Sequence, residues 1–190
     1  DWRPYLQEIT EVYLQMADAI TRHEELLITT RDTDLVRRLL AEHLTKEQMN
    51  QVTLFACDNN DTWARDVAPI TLIPNKESNG KGQTNALLDF CFNGWGKKFA
   101  ADKDNRINQQ VYEAGLFEGT LEPHKDFVIE GGSIESDGKH TLFTTTGCIM
   151  APHRNQPLSK EDIDEKLRSF FPNIEHVVWL DHGKLAGDDT

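Results

Sequence analysis

Two separated segments of this sequence gather the residues best suited to chemistry. The first, Asn59-Asn60-Asp61-Thr62-Trp63-Ala64-Arg65-Asp66-Val67-Ala68-Pro69, sets acids, an arginine and a tryptophan at the mouth of an apolar run. Such a set suits a cation. A positive charge taken out of water loses its hydration at a cost of several kcal/mol, and fixed carboxylates can replace that hydration. Asp66 is the first candidate partner. Asn-Asn-Asp is also ordinary turn chemistry, and Arg65 could simply neutralise Asp61 or Asp66 on a surface loop. A second segment, Glu130-Gly131-Gly132-Ser133-Ile134-Glu135-Ser136-Asp137-Gly138, tilts the choice towards a site. Phe90-Cys91-Phe92-Asn93-Gly94-Trp95-Gly96 lies between the two.

Composition narrows what these residues can meet. The chain has 190 residues, of which 38% are hydrophobic, enough for one domain with a real core. A net charge of −12 repels nucleic acid and anionic membrane surfaces, and is consistent with a cationic ligand. Cys57, Cys91 and Cys148 are widely spaced and odd in number, which argues against a disulfide framework and for a reducing, cytoplasmic setting. Each lies in or beside a strand-like apolar run (52–57, 87–92 and 147–150), where a free cysteine behaves as a small buried hydrophobe. No apolar run reaches the roughly 20 residues of a membrane span.

The elements that must position the candidate acids follow from apolar periodicity. Leu6, Ile9, Val12, Met16 and Ile20 read as an amphipathic helix, and residues 25–30 as a strand. Thr33 reads as the cap of a second helix with Val36, Leu39 and Leu40 buried. Strands are expected over 52–57, 66–74 and 85–92, and a third helix around Ile107, Val111 and Tyr112. A hairpin of 127–136 with 141–146 turns at Asp137-Gly138. Ser159 to Asp162 fits a capping box ahead of Ile163 and Leu167, and 175–180 forms a last strand. Residues 74–83 read as a long solvated loop. The order is mixed α/β, in one domain over 1–190, with a recurring unit of a helix followed by strands.

Taken in order, Asn60-Asp61-Thr62-Trp63-Ala64-Arg65-Asp66, Phe92-Asn93-Gly94-Trp95-Gly96, Glu130-Gly131-Gly132-Ser133-Ile134, Arg154-Asn155-Gln156-Pro157 and Gly187-Asp188-Asp189-Thr190 resemble the agmatine deiminase and bacterial-type peptidylarginine deiminase family. That resemblance implies the pentein fold, an α/β propeller of ββαβ-type modules, of which this chain would supply about three of five. It implies a hydrolase of guanidino groups. A cysteine thiolate would attack the guanidinium carbon, ammonia would leave, and water would release the ureido product from a thiouronium intermediate, without metal or other cofactor. The favoured substrate is agmatine, giving N-carbamoylputrescine on the way to putrescine. Peptidylarginine giving citrulline, or a noncatalytic cation-binding remnant, are the alternatives.

Residue by residue, the resemblance makes Asp66 the acid that holds the guanidinium, and Glu130 a second acid that contacts the cation or orients the catalytic histidine. Trp95 and Trp63 would wall the substrate, with Asp61 and Arg154 as further binding residues. Bland readings stand beside these: a strand-end carboxylate for Glu130, and core packing for either tryptophan. A metal site on Asp181, His182, Asp188 and Asp189 is disfavoured, since no His-x-x-x-His or comparable spacing supports it.

The departures are equally plain. The family's histidine lies in a Gly-His-x-Asp segment after Asp-Asp-Thr, and its cysteine comes much later, so both are expected outside these residues. The first strand is expected before Asp1. None of Cys57, Cys91 and Cys148 occupies the nucleophile position. Unpaired module edges would favour self-association, and thus a homo-oligomer. On this reading the isolated 190-residue chain releases no ureido product from agmatine, which a colorimetric ureido assay against buffer would check.

Overall fold

Helix-period and strand-period segments alternate, so parallel strands are joined through helices and one edge strand pairs antiparallel. The structure is a computed structural model and describes residues 3–74, 84–181 and 183. The chain forms two compact units, Asp1–Asn59 and Asn60–Thr190.

In the first unit the elements are α1 (Leu6–Thr21), β1 (Leu26–Thr30), α2 (Thr33–His43), α3 (Lys46–Met49) and β2 (Val52–Ala56). β1 and β2 pair in parallel, with Leu26 opposite Val52. Asp32, not Thr33, caps α2, its side chain accepting the Leu35 N–H at 2.8 Å. The core gathers Ala17, Leu40 and Leu44. The α1 stripe expected from periodicity is turned aside: Leu6, Val12, Met16 and Ile20 are exposed, while Ala17 and Thr21 are buried. Polar bonding explains the rotation. Gln48 Nε2 donates to Asp18 Oδ1 at 2.8 Å and Thr21 Oγ1 at 3.2 Å, which draws that edge of the helix inward onto α3.

The second unit begins with a short helical turn, α4 (Ala64–Val67), and continues through β3 (Ile70–Leu72) and β4 (Ala86–Cys91). It proceeds to the single turn α5 (Gly94–Lys97), α6 (Asp104–Glu113) and β5 (Thr120–Val128). After a 3₁₀ turn at Gly131–Ser133 come β6 (Ile134–Ser136), β7 (Thr141–Thr145), α7 (Thr146–Ile149), α8 (Lys160–Phe170) and β8 (His176–Leu180). Two three-stranded sheets, β3-β4-β5 and β6-β7-β8, repeat one arrangement. In each, an antiparallel pair is extended by a parallel strand reached through a helix. β5 lies at a sheet edge, which tolerates Pro123.

Phe127, Ile149, Ile163 and Leu167 are fully enclosed in a core that also holds Leu88, Phe90 and Phe171. The Ser159 cap forms as read: its hydroxyl accepts the Asp162 N–H at 3.1 Å and Asp162 accepts the Ser159 N–H at 2.8 Å. The Asp137 hairpin also forms.

Three further expectations change. The strand expected over 66–74 is shorter, because 64–67 wind into a turn that ends ahead of Pro69, whose ring disfavours helical geometry in the residue before it. The run 127–136 is broken at Gly131-Gly132, so that its halves enter different sheets. Cys148 sits on α7 and not in a strand. The loop of 75–83, together with His182 and the Gly187-Asp188-Asp189-Thr190 motif, lies outside the described residues.

Leu167→Ala should keep the fold yet lower stability by about 3 kcal/mol, because a fully buried leucine leaves a cavity that its neighbours only partly fill. Urea denaturation followed by circular dichroism measures it.

Candidate active site

Asp66 stands on α4 and is held by two neutral donors from distant segments. Its Oδ1 accepts the backbone N–H of Gly132 at 2.9 Å, and its Oδ2 accepts the indole N–H of Trp95 at 3.1 Å. The approach of 131–132 to 65–66 leaves no space for a side chain. A Cβ on Gly131 would strike the Arg65 carbonyl, and one on Gly132 would lie 2.7 Å from Asp66 Oδ1. Backbone contact therefore requires glycine at 131, while at 132 an added Cβ would push the Asp66 carboxylate out of place.

Trp95 reaches Asp66 from an unusual backbone. Gly94, Trp95, Gly96 and Lys97 all have positive φ, at 65°, 56°, 83° and 67°, so α5 is a left-handed turn. Asn93 pins it: its side-chain oxygen accepts the Gly96 N–H at 2.8 Å, and its carbonyl accepts the Lys97 N–H at 2.8 Å. Asn93 Nδ2 also donates to the His153 carbonyl at 2.6 Å, tying the turn to the loop that carries Arg154. Phe92 and Phe99 meet the Trp95 ring edge-on at 4.9 and 5.8 Å.

Glu130 is only 3% exposed and pairs with Arg154, whose Nε lies 3.0 Å from Oε1 and 3.3 Å from Oε2. The Cys148 thiol donates to Glu130 Oε2 at 3.8 Å. Burial first, and then the Glu130 charge, push this thiol up to about 11. Burial likewise raises Cys91. Asn155, next to Arg154, ties that loop to the end of β5, exchanging hydrogen bonds with the Val128 backbone at 2.9 Å in both directions.

Of the sequence-expected residues, the structure thus joins Asp66 to Trp95 and Glu130 to Arg154. Trp63 is 53% exposed at the start of α4. On the same segment, Asp61 turns its carboxylate to the Thr62 N–H at 2.7 Å. Sequence reasoning passed over Gly132 as a donor, Cys148 as a neighbour of Glu130, and the buried polar residues of α6, although it placed that helix around Val111. The glycines flanking Trp95 were a usable signal of positive φ.

A larger depression of about 360 Å³ lies on α8 and β8, away from Asp66. Its Asp164 is already bonded to Arg168 at 2.7 Å and to Trp179 at 3.1 Å. Among the described residues, no cluster of histidine, cysteine and acids is arranged to hold a metal. No described helix is long and apolar enough to cross a membrane.

Residues 1–190 match the family described as Porphyromonas-type peptidyl-arginine deiminase. A Mycoplasma capricolum protein, named as a candidate agmatine deiminase, is 34% identical over all of this chain and 49% of its own length. A Porphyromonas gingivalis structure, described as a candidate arginine deiminase, superposes with a TM-score of 0.84 at 38% identity. That match covers 96% of this chain and 51% of the other. A cysteine-to-serine agmatine deiminase of C. jejuni with substrate bound gives 0.84 at 30%, covering 100% and 52%. The chain spans about half the length of the relatives it matches. The fold is the mixed α/β pentein fold.

At pH 8, iodoacetamide should alkylate Cys148 roughly two orders of magnitude more slowly than an exposed cysteine. The rate should climb as pH approaches 11, because only the thiolate reacts. Mass spectrometry of timed digests follows it.

Proposed function

The chain belongs to the Porphyromonas-type peptidyl-arginine deiminase family, and from that membership we propose that it forms the acid-bearing part of a hydrolase of guanidino groups. The carrying observation is the Asp66 carboxylate, fixed by two neutral donors while its charge is left uncancelled by them. A carboxylate has about four lone-pair directions, so two accepted bonds leave capacity for a bidentate guanidinium.

In the proposed reaction Asp66 holds the flat cation and aligns its carbon for attack. A cysteine thiolate beyond the 190 residues adds to that carbon, and the C–N bond breaks as ammonia leaves with a proton, giving a thiouronium. Water then adds, the C–S bond breaks, and the ureido product departs. Cys91 and Cys148 are poor nucleophile candidates, since burial keeps both thiols protonated. Glu130, balanced by Arg154, acts from behind the substrate by fixing the local field and orienting the histidine that the resemblance implies. Trp63, and the segment carrying Asp61, would line the approach.

Agmatine is the favoured substrate, supported by the names of the similar proteins, with hydrolysis giving N-carbamoylputrescine in a cytoplasmic setting. The family's own description favours peptidylarginine as the second reading.

Full-length protein should release ammonia and ureido product from agmatine faster than from a peptidylarginine. Asp66→Asn should lower kcat/KM at least about 1000-fold for any guanidino substrate, since it removes the charge that binds the transition state. Full activity in that variant would defeat the assignment of Asp66.

A further inference from the structure

Asp66 and Trp95 meet across a single hydrogen bond of 3.1 Å, yet each sits on a turn of only four residues. Three polar side chains on the first turns of α6 reach back to both. Asp104 and Asn108 are 0% and 2% exposed, an unusual placement for polar residues on a helix unless every bond they make has a purpose.

Asp104 Oδ1 accepts the backbone N–H of Asn60 at 2.7 Å and of Asp61 at 3.3 Å. Asn60 answers with its own side-chain oxygen, which accepts the N–H groups of Lys103 at 2.8 Å and Asp104 at 3.3 Å. The segment entering α4 is thereby locked to the start of α6. Asn108 holds the other side of Asp66, donating to the Val67 carbonyl at 2.8 Å. The same nitrogen donates to buried Asp89 at 2.7 Å, which is itself paired with Lys125 at 2.6 Å. Asn105 clasps Phe92 from both sides, accepting its N–H at 2.9 Å and donating to its carbonyl. Phe92 stands immediately before Asn93, which pins the left-handed turn carrying Trp95.

We infer that Asp104, Asn105 and Asn108 are positioning residues that set the separation and angle between Asp66 and Trp95, and so aim the carboxylate at the guanidinium. Their bonds go to the backbone on either side of Asp66 and at the root of the Trp95 turn. Core stabilisation alone is served equally well by apolar side chains of similar shape. A shift of about 1 Å, small for packing, is enough to break a 3.1 Å hydrogen bond and to cost roughly 100-fold in rate. The catalytic part of this inference rests on the role proposed for Asp66, whereas the geometric part does not.

The test uses full-length protein with ¹⁵N-labelled tryptophan, the Trp95 indole N–H signal being identified by its loss in Trp95→Phe. Asn105→Ala and Asn108→Ala should move that signal towards the position of an indole bonded to water, and lower kcat for agmatine roughly 10- to 100-fold. KM should change much less. Asn60→Ala, an exposed and milder change that cuts the bonds to Lys103 and Asp104, should move the signal in the same direction. Leu167→Ala, which destabilises the core but removes none of these hydrogen bonds, should leave it in place. Variants that melt earlier while the Trp95 signal stays where it was would reduce α6 to a structural support and overturn the inference. If the unsubstituted protein hydrolyses no guanidino compound, the deiminase reading falls, and the indole signal alone still decides whether α6 sets the geometry.

Discussion

The arrangement of the second unit depends on how one carboxylate is held. Asp66 is fixed by an amide N–H and an indole N–H, both neutral, whereas Glu130 is paired with a guanidinium. The difference is electrostatic in consequence. Neutral donors orient a carboxylate and offset part of its lost hydration without cancelling its charge. A buried pair such as Glu130 and Arg154 is instead balanced internally, and removing either member would strand the other's charge. Counting Asp66, Glu130 and Arg154 as ionised leaves one net negative charge, and it resides on Asp66. A monovalent cation is its natural complement.

Holding Asp66 in this way has a conformational cost. A left-handed residue other than glycine is unfavourable by roughly 1–2 kcal/mol, and both Trp95 and Lys97 adopt that conformation. Asn93 offsets part of the cost with bonds to Gly96 and Lys97, and the edge-on contacts of the Trp95 ring with Phe92 and Phe99 add to that. A right-handed turn over the same residues would send the indole elsewhere. The strain is local, and it lies where the proposed chemistry needs a donor aimed at a fixed point.

Local features were readable in the sequence because they are closed by neighbours in the chain. The Ser159 cap, the Asp137-Gly138 hairpin and the helix around Val111 each depend on residues a few positions apart. The candidate site was readable as a set of motifs, but its bonding was not. Asp66 meets Trp95 across 29 positions and Gly132 across 66, and no periodicity encodes such pairings. The backbone of Asp66 was misjudged for a related reason: an apolar run ahead of a proline reads as strand, while contact with 131–132 winds it into a turn. On α1 the polar pairing of Asp18 and Thr21 with Gln48 outweighed the apolar stripe.

Substrate choice within the proposed reaction reduces to what lies beyond the guanidinium. Asp66 reads only the planar cation, which agmatine, free arginine and peptidylarginine share. An aromatic wall, which Trp63 would supply in that reaction, packs against methylenes and does not distinguish these three, since all carry them. Discrimination must therefore come from charge at the far end: a carboxylate for an amine, a cation for a carboxylate, or an open cleft for a peptide backbone. Asp61 adds negative charge on the segment that carries Asp66, and Arg154 is already engaged by Glu130. A second positive charge on the substrate is better matched to that balance than a negative one, and agmatine is the substrate of the three that carries it without an accompanying carboxylate.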